Sequence, residues 1–136
     1  MSCILCDDPS STGDVVFEDS IALVIVHEDW AVNGHAMVVA KRHVENVSDL
    51  DADEWMHFAR VWHRAEGVLK EVTQTERVIV MKLGIQTPHL HVHLYPFPAS
   101  ATRQDVFAAL DGKTRVPTDL QLIEQVRNKL KLISNL

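Results

Sequence analysis

The sequence has no apolar stretch of membrane-spanning length and no recognisable secretion signal. The longest strongly apolar stretch near its start is Ile21–Val26, whereas a bilayer-spanning helix needs roughly 20 such residues. Met1–Cys6 is short and leads into Asp7 and Asp8 rather than a basic region followed by an apolar segment. We therefore expect a cytoplasmic protein with no membrane partner.

Basic residues are few. There are 13 lysines and arginines against 19 aspartates and glutamates, so the formal net charge is -6. Binding to a nucleic-acid backbone depends mostly on such cations, and this composition argues against a nucleic-acid partner. A small phosphate ligand, held by local donors, stays possible.

Cysteine, glycine and proline are also scarce. The two cysteines form Cys3-x-x-Cys6, a spacing that in a reducing compartment favours a metal site or a redox pair over a structural disulfide. No repeat and no linker rich in proline or glycine interrupts the 136 residues. We expect residues 1–136 to form a single domain, which is long enough to bury its own core.

Alternating or β-branched stretches predict five strands. Asp19-Ser20 separates the first two as a tight turn, and Asn33-Gly34 precedes the third. With helices between and after the strands, the expected class is α+β, built on a mainly antiparallel five-stranded sheet. The predicted strands are Val15–Glu18, Ile21–His27, His35–Ala40, Arg77–Leu83 and His89–Tyr95.

Three helices are predicted from capping signals and helical periodicity. A long helix over 52–72 begins after Asp51, with Glu54 three residues later. A short helix follows Thr102 and ends near Asp111-Gly112, and a C-terminal helix begins within 118–121. The apolar side chains expected to be buried are Trp55, Phe58, Ala59, Trp62, Ala65, Leu69 and Val72 in the first helix and Leu122, Val126, Leu130 and Ile133 in the last.

The run His89-Leu90-His91-Val92-His93 carries the strongest chemical signal. In a strand its three histidines share one face and the aliphatic residues take the other. One interpretation is a solvated edge strand, and another is a three-histidine catalytic zinc site. His89 and His93 would have Cα atoms ~13 Å apart, too far for all three rings to bind one ion. The rings must therefore have different roles.

With Leu94-Tyr95 the run resembles the signature of the histidine triad family, His-φ-His-φ-His-φ-φ with φ apolar. The resemblance extends over most of residues 3–97, leaving a helical extension at about 102–136. Its other elements are Cys3-x-x-Cys6, Asn33-Gly34-His35, Lys41-Arg42-His43-Val44-Glu45-Asn46 and Gln86-Thr87.

The resemblance implies a nucleotidyl hydrolase or transferase. His91 would attack the α-phosphorus of a nucleoside phosphoramidate, dinucleoside polyphosphate or related adenylylated compound and form a nucleotidyl-histidine intermediate. His93 would donate to the phosphate oxygens or the leaving group, with His35 beside it. Gln86 and Thr87 would also bind phosphate. A neutral imidazole with a pKa near 6.5 suits the nucleophile.

Cys-x-x-Cys supplies two of the four ligands of a tetrahedral metal site. By resemblance to zinc-containing relatives, His43 and His89 would complete a closed, structural zinc site that ties the N-terminus to the triad strand. The alternatives are a packed, reduced cysteine pair and a redox couple. Redox use is disfavoured because no helix visibly begins at Cys3 to lower a thiol pKa.

The remaining histidines are less informative. His57 and His63 are expected to be solvated helix residues, and the role of His27 is undecided.

The resemblance implies that Ile21–His27 and His35–Ala40 line a purine nucleotide pocket, and that the protein is a homodimer with the helix 52–72 at the interface. Two other functions remain open: a nucleotide-binding regulatory module, since 81–85 lacks the asparagine usual in relatives, and a metal-dependent hydrolase.

Overall fold

A computed structural model describes residues 2–132. The described residues form a five-stranded antiparallel sheet in the order β1-β2-β3-β5-β4. This confirms the predicted α+β class and strand number. The strands are β1 (Gly13–Glu18), β2 (Ala22–His27), β3 (Ala36–Ala40), β4 (Arg77–Met81) and β5 (His91–Phe97).

The helices are α1 (Ile4–Asp7), α2 (Ala52–Thr73), α3 (Arg103–Leu110) and α4 (Leu120–Lys131), with short 3-10 turns at Pro9–Thr12 and Val47–Asp49. The predicted capping boxes are present at Asp51 with Glu54 and at Thr102 with Asp105. The last helix begins one residue after Asp119, whose carboxylate accepts from two backbone amides. Ile133 lies outside the described residues.

The turns before β2 and β3 explain how the early strands are placed. Asp19 Oδ1 accepts from the amides of Ile21 and Ala22 at 2.8 and 2.9 Å, which supports a tight turn without glycine. Gly34 has φ +82, and an added Cβ would lie 2.8 Å from Thr73 Cγ2. Glycine is therefore required both by the backbone conformation and by the close approach of α2.

The main core lies between one face of the sheet and the helices α2 and α4. The set of buried apolar side chains on α2 differs from the predicted set. Trp55 is 36% exposed, and Val61 and Val68 are buried although they were not predicted to be. The buried side chains of α2 begin at Phe58, one turn after Trp55, so Trp55 lies beyond the end of the buried face. The buried residues of α2 are Phe58, Val61, Ala65, Val68 and Leu69.

The opposite face of the sheet carries a smaller apolar cluster of Leu5, Leu23, Ile25, Met37 and Val39. The predicted strand bounds are wrong at the triad: β5 begins at His91 rather than His89 and continues to Phe97. β4 likewise ends at Met81 rather than Leu83. Residues 82–90 therefore form a loop that leads into the triad strand, and this loop positions both sites described below.

Candidate active site and metal-binding cluster

Strand β5 places two histidines of the triad on the sheet face away from α2. In the pairing of β5 with β3, His91 lies opposite Val39 and His93 opposite Met37. Both partners belong to the small apolar cluster on that face. The alternating aliphatic residues pack into the main core, as predicted; they are Leu90, Val92 and Leu94.

His89 precedes the strand and is 1% exposed. Its Nε2–H donates to the Ala40 carbonyl at 2.5 Å. Because a carbonyl only accepts, this bond places the ring proton on Nε2 and leaves the Nδ1 lone pair free. Nδ1 lies 3.1 Å from Nδ1 of His43. His89 is therefore oriented toward a cluster outside the strand.

That cluster, which we call the metal cluster, consists of Cys3, Cys6, His43 and His89, and its ligand atoms all lie within 4.8 Å of one another. The Cys6 Sγ is 3.2 Å from His43 Nδ1 and 3.4 Å from His89 Nδ1, and the Cys3 Sγ is 3.5 Å from His89 Nδ1. Zinc–ligand bonds of about 2.0–2.3 Å imply tetrahedral edges of roughly 3.3–3.8 Å. The four residues can hold a metal ion.

A short helix holds the two thiols together. Cys3 is the N-cap of α1, and its carbonyl accepts from the amides of Cys6 and Asp7 at 3.0 and 2.8 Å. The expectation that no helix begins at Cys3 is therefore wrong. The four residues of α1 are too few to show a helical periodicity. The helix was therefore not predictable from the apolar pattern of the sequence.

The electrostatics of the cluster suit a cation. Partial desolvation raises the pKa of the Cys6 thiol, although this side chain is exposed, and the neighbouring Cys3 thiol and Asp7 raise it further. Burial also lowers the pKa of His89, and His43 and His91 add to this effect. A neutral imidazole is the form that binds metal, and a divalent ion would offset the repulsion between two thiolates. The donor set therefore fits a dication of the zinc type.

His91 is oriented in the opposite way. It is 9% exposed, and its Nδ1–H donates to the His89 carbonyl at 2.6 Å. The ring proton therefore sits on Nδ1, and Nε2 carries the lone pair. His91 also lines a cavity of about 470 Å³. An imidazole nitrogen with a free lone pair in a cavity can act as a nucleophile.

A chain of hydrogen bonds connects His93 to the backbone of the β2–β3 loop. His35 Nδ1 lies 3.2 Å from the Asp29 carbonyl, and His35 Nε2 lies 2.9 Å from His93 Nδ1. Since the carbonyl accepts from His35 Nδ1, His35 Nε2 is an acceptor and His93 Nδ1 donates to it. This leaves Nε2 as the free nitrogen of His93.

Burial keeps both rings of this chain neutral. It lowers the pKa of His35 to about 2, with His27 and His93 adding to the effect. It lowers the pKa of His93 to about 4, and the nearby rings of His91 and His27 act in the same direction. A neutral His93 with its proton on Nδ1 accepts at Nε2. It becomes a donor there only when a bound anion draws in a proton.

Two aromatic neighbours of His35 complete this group. His27 stacks on His35 at 4.5 Å with an interplanar angle of 9°, and Tyr95 stacks on it at 4.3 Å. Burial raises the pKa of Tyr95 to about 12, so its phenol stays protonated. Sequence reasoning left His27 undecided and missed Tyr95 and the Asp29 carbonyl. The signature shows Tyr95 only as an apolar position, and no residue type marks a backbone acceptor.

One cavity brings together most of the predicted site residues. His91, His93, Gln86 and Thr87 all line it, whereas His35 is buried and reaches the cavity only through its hydrogen bond to His93. Of the two segments predicted to line a nucleotide pocket, the cavity includes His27 and Met37. The remaining lining residues are Ile4, Leu5, Thr12, Met81, Leu83, Gly84, Ile85 and Leu110.

His57 is not a solvated helix residue as predicted. It is half-buried, and its Nε2 lies 2.5 Å from Asp19 Oδ2, which ties α2 to the β1–β2 turn. Burial alone would raise the pKa of Asp19, but hydrogen bonds from His57 and two backbone amides hold it below its usual value. His63 is exposed, as predicted.

Residues 9–98 match the model of the HIT domain family. The chain belongs to the histidine triad family. This match covers all five strands, α2 and the triad, and it ends before α3. The family is associated with nucleotides and includes hydrolases.

Solved histidine triad proteins share the fold. A hypothetical histidine triad nucleotide-binding protein from Sulfolobus tokodaii is 21% identical, with a TM-score of 0.73 over 96% of this chain and 93% of that one. A zinc-bound histidine triad family protein from Mycobacterium smegmatis is 19% identical, with a TM-score of 0.72 over 98% and 96% of the two chains. The diadenosine triphosphate hydrolase of Plasmodium falciparum is 14% identical, with a TM-score of 0.63 over 88% and 76%.

No helix of the described residues 2–132 is both long and apolar enough to cross a membrane.

Proposed function

We propose that this protein is a nucleotidyl hydrolase or transferase that acts at the α-phosphate of a nucleoside phosphoramidate, dinucleoside polyphosphate or related adenylylated compound. One observation carries the proposal. The bond from His91 Nδ1 to the His89 carbonyl, 2.6 Å long, leaves Nε2 as a nucleophile in a cavity that also holds His93, Gln86 and Thr87.

In the first step, the lone pair of His91 Nε2 attacks the α-phosphorus. A phosphorus–nitrogen bond forms, and the bond from phosphorus to the leaving group breaks with its electron pair going to the leaving group. The anionic phosphate raises the pKa of His93, so that this ring takes up a proton at Nε2 and passes it to the leaving group. Gln86 and Thr87 donate to the phosphoryl oxygens as charge develops there.

In the second step, water attacks the phosphorus of the nucleotidyl-histidine. The phosphorus–nitrogen bond breaks, its electron pair returns to His91 Nε2, and the proton from water goes to His93, which releases it to solvent when the anionic product leaves. The products are a nucleoside monophosphate and the free enzyme. A second nucleophile in place of water makes the same reaction a transfer. His35 acts on this cycle through its hydrogen bond to His93 Nδ1.

We further propose that the metal cluster binds zinc as a structural ion. The four ligand atoms of Cys3, Cys6, His43 and His89 form a closed set, and a structural zinc ion contributes folding free energy rather than a reactive water. It would fix α1 against the loop before β5. Among residues 2–132, the metal cluster includes one member of the histidine triad, His89. A catalytic metal held by two histidines of the strand is therefore disfavoured.

A homodimer is part of the same proposal. Trp55 and Met56, near the start of α2, are 36% and 52% exposed, and we propose that a second copy covers them. Light scattering of the purified protein tests for the dimer, and a shift toward monomer in Met56→Lys tests for this interface. We also propose that residues 1–136 form one domain, with a core at about 3–97 and an extension at about 102–136.

The decisive experiment traps the intermediate. The protein is mixed with adenosine 5′-phosphoramidate, quenched in alkali within milliseconds to seconds, and digested for mass analysis. We expect one adenylyl group on His91 and none in His91→Gln. The matched control is His63→Gln, which changes an exposed histidine outside the site.

Failure has two distinguishable forms. An adenylyl group on another residue would remove His91 as the nucleophile. If calorimetry shows adenosine monophosphate binding while no adduct forms and no phosphoramidate is consumed, the protein is a nucleotide-binding regulatory module instead.

A further inference from the structure

The backbone carbonyl of Asp29, in the loop between β2 and β3, fixes which nitrogens of the His35–His93 pair carry protons. It accepts from His35 Nδ1 at 3.2 Å, and His93 Nδ1 in turn donates to His35 Nε2 at 2.9 Å. In this arrangement His93 can take up a second proton at its free Nε2 without breaking either bond. The arrangement therefore accommodates the imidazolium that the proposed reaction requires.

Without an acceptor at the position of the Asp29 oxygen, the pair can adopt the opposite tautomers. His35 would then hold its proton on Nε2 and donate to His93 Nδ1, and His93 would hold its own proton on Nε2. A second proton on His93 would have to bind Nδ1, toward which the N–H of His35 would already point. The position of one backbone oxygen therefore determines whether His93 can act as an acid.

The rest of this loop is held by a segment that lies outside the family match. Residues 111–119 connect α3 to α4, and we call them the connecting segment. The Val116 amide donates to the Trp30 carbonyl at 2.8 Å in an isolated antiparallel bridge, and Thr114 Oγ1 donates to the Ala31 carbonyl at 3.2 Å. These bonds hold the two peptide planes that directly follow the one whose oxygen orients the histidine pair.

Burial and charge support the same role for the connecting segment. Trp30 and Ala31 are buried, and Ala31 belongs to the same apolar cluster as Tyr95, which stacks on His35. Burial is the largest cause of the lowered pKa of His35, and the charge of Arg115, on the connecting segment, acts in the same direction. A neutral His35 keeps its Nε2 as the acceptor that the arrangement needs.

We propose that the connecting segment is a positioning element of the active site, in which Thr114 and Val116 hold the Asp29 carbonyl in place and thereby keep His93 able to bind a proton at Nε2. This inference rests on the proposed function. Thr114 and Val116 are not among the described residues that line the cavity, so they act through the loop rather than by contact with substrate.

The first test measures the tautomers directly. Nitrogen-15 spectra of the labelled protein at about pH 7 distinguish protonated from free ring nitrogens, and His35→Phe and His93→Gln assign the signals. In wild type we expect His93 to be protonated at Nδ1 and free at Nε2. In Thr114→Val combined with Val116→Pro, which removes both donors, the Nε2 signal should move toward its protonated position. Thr114→Val alone should give a smaller shift, and it replaces an exposed side chain if the double variant does not fold. Unchanged tautomers in a folded variant would overturn the proposal.

Kinetics then test whether the tautomer matters for turnover. In Thr114→Val we expect kcat for adenosine 5′-phosphoramidate to fall about tenfold, while KM changes by less than about threefold because the cavity wall is intact. Thr114→Ser keeps the hydroxyl donor and should retain the wild-type kcat. The matched control is Thr118→Val, which changes an exposed threonine of the same segment. An unchanged kcat in Thr114→Val, an equal loss in the serine variant, or a change in KM alone would overturn the proposal.

The two measurements separate this inference from the proposed function. Tautomers are measured without substrate, so they do not depend on turnover. If wild type forms no adduct on His91 but the variants shift the His93 tautomer, the proposed function fails while the positioning of His93 by the connecting segment stands. If wild type forms the adduct and the tautomer does not respond to the variants, the positioning role fails and the proposed function stands.

Discussion

His89 and His91 lie two residues apart, yet their rings are fixed in opposite ways. His89 donates from Nε2 to the Ala40 carbonyl, which leaves Nδ1 to the metal cluster. His91 donates from Nδ1 to the His89 carbonyl, which leaves Nε2 to the cavity. Two backbone acceptors thus select two tautomers of the same residue type. The comparison shows that the chemistry of each histidine is set by its carbonyl partner.

The two surroundings differ in how they handle charge. The metal cluster joins two thiols and two imidazoles, with His43 and Cys6 exposed, and it favours a cation. In the group around His91, burial disfavours the charged forms of two imidazoles, as the lowered pKa values of His35 and His93 show. One site is thus suited to hold a dication, and the other is suited to keep nitrogen lone pairs unprotonated.

The largest effect should come from His91→Gln. Removal of the proposed nucleophile should lower kcat/KM for adenosine 5′-phosphoramidate by about 10⁴-fold or more. Zinc content, measured by mass spectrometry of the purified protein, should match that of His63→Gln because His91 is not a member of the metal cluster. Loss of zinc together with activity would mean that the two sites are not separable.

His43→Gln should produce the opposite pattern. We expect zinc content to fall below a few tenths of an equivalent and Tm to drop by about 15 °C, since a ligand at a thousand times its Kd contributes about 4 kcal/mol of stability. Turnover should stay within about tenfold of wild type at a temperature where the variant is folded. A zinc content equal to that of His63→Gln would contradict the zinc site.

Thr87→Val tests the loop that serves both regions. The Thr87 carbonyl accepts from the His89 amide at 2.8 Å, while Thr87 itself lines the cavity. Loss of the hydroxyl donor should lower kcat/KM about a hundredfold. Zinc content should be unchanged because the backbone bond remains. A variant with wild-type kinetics, like the exposed control Thr118→Val, would exclude Thr87 as a phosphate donor.

Much of the fold follows from local sequence signals. Alternation predicted the strands, and side-chain caps such as Asp51 and Thr102 predicted where the helices begin. The ends of the triad strand were not predictable, because the His-x-His alternation continues through His89 although the backbone pairing starts at His91. Alternation of apolar and polar residues indicates which face of the sheet a side chain occupies. It does not indicate where hydrogen bonding to a neighbouring strand begins.

The site was predictable where residue types carry the chemistry. The sequence, with the family resemblance, predicted a metal cluster of four residues that the structure brings together. It did not indicate that Asp29 contributes a backbone carbonyl, that Tyr95 stacks on His35, or that Leu110 lines the cavity. These contacts arise from tertiary packing, and α3 lies outside the matched family region. A cytoplasmic location and the homodimer stay predictions.

The smallest effect we predict concerns the pH dependence of stability in the group around His91. The pKa values of about 2 for His35 and about 4 for His93 lie below their ordinary value of 6.5. The unfolded chain therefore binds more protons than the folded one below about pH 6.5, and stability falls as the pH drops from there toward 4. At about pH 5 the expected loss is about 2 kcal/mol for each ring. Urea unfolding at about pH 7 and pH 5 measures it.

His35→Phe should remove about half of this loss, because phenylalanine keeps a ring between His27 and Tyr95 but does not titrate. Acid also protonates the thiols of the metal cluster and releases a bound ion, which would add its own pH dependence. Both proteins should therefore carry His43→Gln, so that zinc contributes to neither. The free energy of unfolding could instead change equally with pH in the proteins with and without His35. In that case the fold does not hold the His35 ring neutral, and the burial of His35 does not explain why the two regions handle charge differently.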